Sequence, residues 1–128
     1  MVPANAGGAS GPAMVPRSTV LLFWASWCAP CRAEVGDIAA LRQAAEPMDV
    51  LVVPIEPGRT DRTLLPGLSS DQIHEPAGGG LNLMLRLTGG AAAALPVSVA
   101  LDAEGRVCGV HRTRLTQAVV AGWRRRCS

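Results

Sequence analysis

Two cysteines, Cys28 and Cys31, are separated by only two residues, a spacing that suits reversible disulfide chemistry. The apolar and β-branched run 19–25 comes directly before them, and a helical pattern begins at Pro30. The unpaired amide groups at the start of a helix stabilise an anion, so this position favours the thiolate form of Cys28. Because Cys31 lies one turn further into the helix, we expect Cys28 to attack a substrate disulfide and Cys31 to resolve the mixed disulfide.

A closely spaced cysteine pair can also form a structural disulfide or part of a metal site. A structural disulfide seldom spans only two residues between a strand and a helix, and a zinc site needs about four ligands. The two remaining cysteines, Cys108 and Cys127, fit no compact zinc spacing. A copper site would need further ligands such as His74 and Met84, which no spacing groups with the pair, and we expect no bound metal. Redox chemistry is favoured, with a metal-handling module and a non-catalytic interaction domain as the alternatives.

The redox pair is expected to lie within a βαβ unit. The first strand covers 19–25, a helix covers 30–46 and ends before Pro47, and the second strand covers 49–56. Such a unit places its two strands parallel in one sheet. The remaining predicted elements are a short helix that fits 69–73, a helix over 81–87, strands over 97–101 and 106–110, and a closing helix over 113–126. The expected strand order across the sheet is 49–56, 19–25, 97–101 and 106–110.

The composition is that of one globular domain. With 128 residues, of which 48% are hydrophobic, the chain can bury a single core. Residues 1–18 are rich in Gly, Pro and Ala, so we expect them to form a flexible tail or linker and 19–128 to form the domain. The net charge of only +2 argues against nucleic-acid binding. No apolar stretch approaches the roughly 20 residues of a membrane span, and 1–18 does not show the pattern of a signal peptide.

Two blocks of the sequence carry a resemblance to a known family. The first is FWASWCAPCRAE at 23–34, and the second is LPVSVALDAEGRV at 95–107. From Thr19 to the C-terminus the chain resembles the thioredoxin superfamily, and within it the membrane-anchored TlpA, ResA and CcmG (DsbE) type of bacterial reductant. The resemblance implies an α/β thioredoxin fold with three layers and a central mixed sheet.

The resemblance also assigns roles to single residues. It implies that Pro96 is a cis-proline facing the active site and that the backbone before it pairs with the bound substrate. It implies that Glu34 lies near the two sulfurs as a third catalytic residue, where it could raise a thiol pKa and take up the proton of Cys31. The alternative for Glu34 is a solvated glutamate favoured by the helix dipole. The residues expected to contact the substrate are Trp27, Ala29, Pro30, Leu95 and Pro96.

One position departs from the thioredoxin pattern. Thioredoxins carry a buried aspartate on the strand before the cysteines, where this chain has Leu22. Proton transfer through that aspartate is therefore not available, which favours Glu34 or water as the proton acceptor.

The resemblance implies a role in the bacterial envelope. The expected substrates are protein disulfides, including those of cytochrome c maturation, and a membrane protein of the CcdA or DsbD type would supply the electrons. The chain would act as a monomer without a cofactor, in the periplasm or cell envelope, anchored to the membrane in the full-length protein. A cytoplasmic location stays open, because no targeting segment is visible.

Cys108 falls on the last predicted strand and Cys127 at the end of the closing helix. A disulfide between them would tie this helix to the sheet and stabilise the fold by about 2–4 kcal/mol. A helix over 113–126 would be about 20 Å long and could carry Cys127 past Cys108. A disulfide and two separate thiols therefore both remain open.

Overall fold

The computed structural model describes residues 15–56, 67–90 and 94–128. In chain order, its elements are β1 (Thr19–Trp24), α1 (Ala29–Gly36), α2 (Ile38–Ala45), β2 (Asp49–Pro54), a short 3₁₀ helix (Ser70–Gln72), α3 (Gly80–Leu87), β3 (Ser98–Leu101), β4 (Val107–His111) and α4 (Gln117–Arg126). None of the helices in these three ranges is long and apolar enough to span a membrane. Residues 1–14 of the predicted tail lie outside the described residues, so the tail and the domain boundary stay predictions.

β1 is an inner strand of a four-stranded sheet. The strand order is β2-β1-β3-β4, with β1 parallel to β2 and antiparallel to β3, and with β3 antiparallel to β4. In the parallel ladder Thr19 is the partner of Asp49, and Trp24 is the partner of Pro54. All six residues of β1 are buried, as expected for a near-continuous apolar run that is covered on both faces. The predicted strand order and the mixed sheet are confirmed.

Helices cover both faces of this sheet, and each face has its own core. Because side chains alternate along a strand, the even-numbered residues of β1 pack on the face covered by α1, α2 and α4. Leu21 and Phe23 point to the other face, where they pack with Leu83 and Met84 of α3. The three-layer α/β arrangement is therefore confirmed, and the cysteines at 28 and 31 belong to the first core.

The helix predicted over 30–46 is interrupted. α1 ends at Gly36 and α2 begins at Ile38, with Asp37 between them in a non-helical conformation. The amide of Asp37 is shared between carbonyl groups of the preceding turn. Glycine and aspartate are poor helix formers, and the Asp37 carboxylate also forms an ion pair with Arg114. The prediction of one continuous helix was therefore wrong at Asp37, where the helix is interrupted.

The closing helix begins later than predicted, at Gln117. Thr116 caps it by accepting a hydrogen bond from the amide of Val119 at 3.4 Å. The hydroxyl of Thr113 is instead paired with the ring of His111, at 3.0 Å from Nε2. The start at 113 was therefore wrong, because the threonine nearer the helix supplies the cap and the earlier one is used by β4.

A disulfide joins Cys108 of β4 to Cys127, the C-cap residue that follows α4. Their Cα atoms are 5.7 Å apart, within the usual range for such a bond. α4 has ten residues and is therefore about 15 Å long, which removes the expected overshoot. The helix also lies very close to the strand, since a Cβ atom at Gly109 would be 2.2 Å from Nε1 of Trp123. Glycine at 109 and the short helix together bring the two sulfurs within bonding distance.

Replacing both Cys108 and Cys127 by serine is expected to lower the free energy of unfolding by about 3 kcal/mol, because the unfolded chain loses a cross-link that closes a loop of about 20 residues. Urea unfolding of the two oxidised proteins measures the difference. The Cys28–Cys31 disulfide is the internal control and should form in both proteins. A difference below about 1 kcal/mol would contradict a stabilising role for the second disulfide.

Candidate active site

Cys28 and Cys31 are joined by a disulfide at the start of α1. Cys28 is the N-cap residue of this helix, and its sulfur accepts a hydrogen bond from the amide of Cys31 at 3.2 Å. Pro30 lies in the first turn, where its missing amide costs no helical hydrogen bond. When the disulfide is reduced, the Cys28 sulfur therefore lies where free amides and the helix dipole favour a thiolate.

The disulfide is buried, but the chain around it is exposed. Cys28 is 4% exposed and Cys31 is 1% exposed, whereas Ala29 and Pro30 lie on the surface. Trp27 is 66% exposed directly before Cys28. Trp27 therefore places a large exposed apolar surface directly before Cys28.

The peptide bond between Leu95 and Pro96 is cis. It lies just before β3, where the carbonyl of Val97 accepts a hydrogen bond from the amide of Phe23 on β1 at 3.3 Å. Leu95 is half-buried and packs against the core that contains both cysteines. The two blocks that carry the family resemblance are therefore brought together at the same end of β1, although they are far apart in the sequence.

Glu34 lies one turn after Cys31 on α1 and is 1% exposed. Its Oε2 accepts a hydrogen bond from the amide of Leu115 at 2.6 Å, whereas its Oε1 is buried without a partner among the described residues. Burial raises the pKa of Glu34 from 4.5 to about 7, although the Leu115 amide and the charge of Arg114 act in the opposite direction. The alternative of a solvated glutamate is therefore excluded, and this carboxyl group can bind or release a proton near neutral pH.

Leu22 is fully buried in the same core as the cysteines, at the position where thioredoxins carry an aspartate. Its partner across the sheet is Ser98, which is also buried. Within the part of the chain that the structure describes, Glu34 is the one buried carboxyl group. Among the described residues, the strand therefore holds an apolar side chain at this position, and the buried carboxyl group lies on α1.

Sequence reasoning missed two residues at this end of the sheet, Ser26 and Glu56. Ser26 follows β1, and Glu56 follows the neighbouring strand β2. The carboxylate of Glu56 accepts hydrogen bonds from the Ser26 amide at 2.7 Å and from the Ser26 hydroxyl at 2.9 Å. The βαβ pattern predicts that these two residues lie close together, because parallel neighbouring strands bring their carboxyl ends to one edge of the sheet.

The residues considered as copper ligands do not extend the cysteine pair. Met84 is buried on the opposite face of the sheet, in the core formed with α3. His74 lies beside β2, and its amide donates to the carbonyl of Val52 at 2.9 Å. In ranges 15–56, 67–90 and 94–128, no three His, Cys, Asp or Glu residues are grouped as a metal site.

No protein-family model matches the sequence, and no curated protein matches it. Several solved structures do match the fold. A thio-disulfide isomerase from Thermus thermophilus is 22% identical, with a TM-score of 0.63 over 88% of this chain and 80% of that one. A thiol:disulfide interchange protein of the thioredoxin family from Chlorobium tepidum TLS is 18% identical, with a TM-score of 0.62 over 85% and 78% of the two chains. StoA from Bacillus subtilis is 16% identical, with a TM-score of 0.58 over 84% of each chain.

These likenesses agree with the architecture described above. The structure has a mixed sheet with helices on both of its faces. Its cysteine pair lies at the start of the first helix. The chain has the thioredoxin fold, which it shares with solved thiol:disulfide interchange proteins.

Proposed function

We propose that this protein is a thiol–disulfide oxidoreductase that reduces disulfides in other proteins through Cys28 and Cys31. The observation that carries the proposal is the disulfide at the start of α1, in which the Cys28 sulfur also caps the helix. A disulfide that closes so short a loop stabilises a fold less than a long-range one does. The likeness in fold to thiol:disulfide interchange proteins supports the same activity.

The proposed reaction transfers two electrons to the substrate disulfide. In the reduced protein the Cys28 thiolate attacks one substrate sulfur, which breaks the substrate S–S bond and releases a thiolate that takes up a proton. Cys31 then loses its proton and attacks the Cys28 sulfur of the mixed disulfide. The second substrate sulfur leaves as a thiolate and is protonated, and the Cys28–Cys31 disulfide is formed.

Glu34 is the proposed proton acceptor for Cys31. It lies one turn further along α1, it is buried, and burial raises its pKa to about 7. Its carboxylate can take up the Cys31 proton while the mixed disulfide is resolved, and a pKa near the working pH allows the proton to be returned to solvent. Leu22 provides no competing acid on the strand.

The substrate polypeptide is proposed to lie across Trp27 and the Leu95–Pro96 bond. Trp27 supplies an exposed aromatic surface, and Ala29 and Pro30 form the exposed turn between the two sulfurs. Leu95 comes just before β3, and we propose that its backbone pairs with an extended segment of the substrate. Backbone pairing of this kind accepts many sequences, which suits a protein that acts on more than one disulfide.

The cellular role that we propose is that of an envelope reductant. The second disulfide, Cys108–Cys127, supports an oxidising compartment, because such bonds persist there and are rare in the cytosol. A membrane donor of the CcdA or DsbD type would return two electrons to the Cys28–Cys31 pair, and an anchor in the full-length protein would hold the domain near this donor. Disulfides formed during cytochrome c maturation are proposed to be among its substrates.

Insulin reduction tests the activity directly. With dithiothreitol as the electron source, the protein should accelerate the precipitation of the insulin B chain. In the reduced protein, mass spectrometry after iodoacetamide treatment near pH 6.5 should show Cys28 reacting at least about 10 times as fast as Cys31. Slow and equal alkylation of both cysteines, without insulin reduction, would contradict the proposal.

A titration with Cu(I), added to these two measurements, separates the two alternatives. A metal-handling module would bind Cu(I) with high affinity through Cys28 and Cys31 and would not reduce insulin. A non-catalytic interaction domain would show no preferred thiolate in this pair and no insulin reduction.

A further inference from the structure

Ser26 is held by two neighbouring side chains through three of its polar groups. Its amide and its hydroxyl donate to different oxygens of the Glu56 carboxylate, at 2.7 and 2.9 Å. Its carbonyl oxygen accepts a hydrogen bond from the Arg32 guanidinium at 3.4 Å. Since Glu56 follows β2 and Arg32 belongs to α1, these contacts, which we call the Ser26 clamp, join the ends of three elements.

The Ser26 clamp lies next to the redox pair. Ser26 precedes Cys28 by two residues, and the turn between them is closed by a hydrogen bond from the Cys28 amide to the Ala25 carbonyl at 3.1 Å. Ala25, which directly follows β1, is fully buried, whereas Trp27 is largely exposed. The clamp therefore lies at the turn that leads from β1 to Cys28, the N-cap residue of α1.

We propose that Glu56 is a positioning residue for Cys28, because it holds both donors of Ser26 and so keeps the turn in the conformation in which the Cys28 sulfur caps α1. Hydrogen bonds to a carboxylate are stronger than those between neutral groups, and two of them fix the orientation of Ser26. The role rests on the proposed function, since the position of the sulfur matters for activity only if Cys28 reacts.

Glu56 acts on Cys28 in two ways that have opposite signs. Holding the turn favours the Cys28 thiolate, because it keeps the sulfur at the free amides of α1. The negative charge of Glu56 disfavours the same thiolate. Variants that remove the hydrogen bonds and variants that remove only the charge can therefore be told apart by the reactivity of Cys28.

Three variants make this separation. Glu56→Ala removes both hydrogen bonds to Ser26. Glu56→Gln removes the charge, but its side-chain amide can still accept from the Ser26 amide and donate to the Ser26 hydroxyl. Ser26→Ala removes the hydroxyl bond and leaves the bond from the backbone amide. For each reduced protein, iodoacetamide alkylation of Cys28 and Cys31 is followed from pH 5 to pH 9 by mass spectrometry.

Glu56→Ala is expected to raise the Cys28 pKa and to slow the alkylation of Cys28 at pH 6 about 3- to 10-fold. Ser26→Ala should slow it in the same direction by a smaller factor. Glu56→Gln should react at least as fast as the wild type. Cys31 should keep its slow rate in all three variants, because a positioning role leaves the fold around it intact.

A Cys28 rate in Glu56→Ala that equals or exceeds the wild-type rate would overturn this role of Glu56. Faster alkylation of Cys31 in that variant would also overturn it, because it would indicate a general loosening of α1. If the proposed oxidoreductase function is wrong, the result is different: wild-type Cys28 then reacts no faster than Cys31. A reactive wild-type Cys28 that Glu56→Ala leaves unchanged would count against Glu56 alone.

Discussion

Replacing Cys28 by serine is expected to lower the rate of insulin reduction at least about 1,000-fold, to the level of the reaction without protein. A serine hydroxyl at the N-cap of α1 can still accept the hydrogen bond from the Cys31 amide, so the fold should persist. It cannot form the thiolate that begins the exchange. Insulin turbidity, with circular dichroism as a check on folding, measures the change.

Cys31→Ser is the matched variant, because it leaves the attacking sulfur in place and removes the resolving one. It should form a mixed disulfide with the substrate that persists, and this adduct should be visible by mass spectrometry without reducing agent. The variant in which both Cys108 and Cys127 are serine should retain insulin reduction. If Cys28→Ser kept its activity while that double variant lost it, the redox centre would have to be reassigned to the second disulfide.

The fold and the redox pair could be predicted because their signals are local in the sequence. The apolar run of β1 indicates a strand covered on both faces, and Pro30 marks the first turn of a helix. One βαβ unit then restricts the pairing of β1 and β2 to the parallel arrangement that the structure shows. Cys28 lies at the junction of these elements, so its place at a helix start follows from the same signals.

The helix boundaries were missed because particular side-chain contacts, and not residue types alone, decide them. Asp37, where the predicted helix breaks, pairs with Arg114, a residue from the segment that precedes α4. The late start of α4 follows from the choice between Thr113 and Thr116 as the cap, and both are favourable capping residues by type. The second disulfide was left open for the same reason, since its geometry depends on the length of α4.

The burial of Glu34 in the candidate site also depends on a contact that the sequence pattern does not predict. Its position three residues after Cys31 predicts the face of the helix that it shares with that cysteine, but not whether water reaches it. Leu115, 81 residues further along the chain, donates its amide to this buried carboxyl group. The sequence pattern therefore allows Glu34 to be either buried near the cysteines or solvated. The contact with Leu115, which the sequence does not predict, belongs to the buried arrangement.

Replacing Glu34 by glutamine is expected to stabilise the oxidised protein above pH 8 by about 2–3 kcal/mol, allowing for screening by solvent, and to leave its stability near pH 4 almost unchanged. The folded-state pKa of Glu34, about 7, lies above the value of 4.5 for an ordinary glutamate. Below pH 4.5 the group is protonated in both states. Between pH 4.5 and 7 the unfolded state ionises first, so the free energy of unfolding falls as the pH rises, and glutamine removes this fall.

Urea unfolding of the oxidised proteins at pH 4, 6 and 8 tests this dependence, with neither cysteine pair able to titrate. Glu104→Gln, a change at an exposed glutamate, is the control and should follow the wild type at each pH. In the activity assay at pH 7, Glu34→Gln should slow insulin reduction about 10- to 100-fold, because Cys31 loses its proton acceptor. A variant that is more stable at pH 8 and also slower would show that the buried carboxyl group costs stability and serves the exchange. Equal pH dependence in Glu34→Gln and the wild type would contradict the raised pKa, and with it the proposed proton transfer.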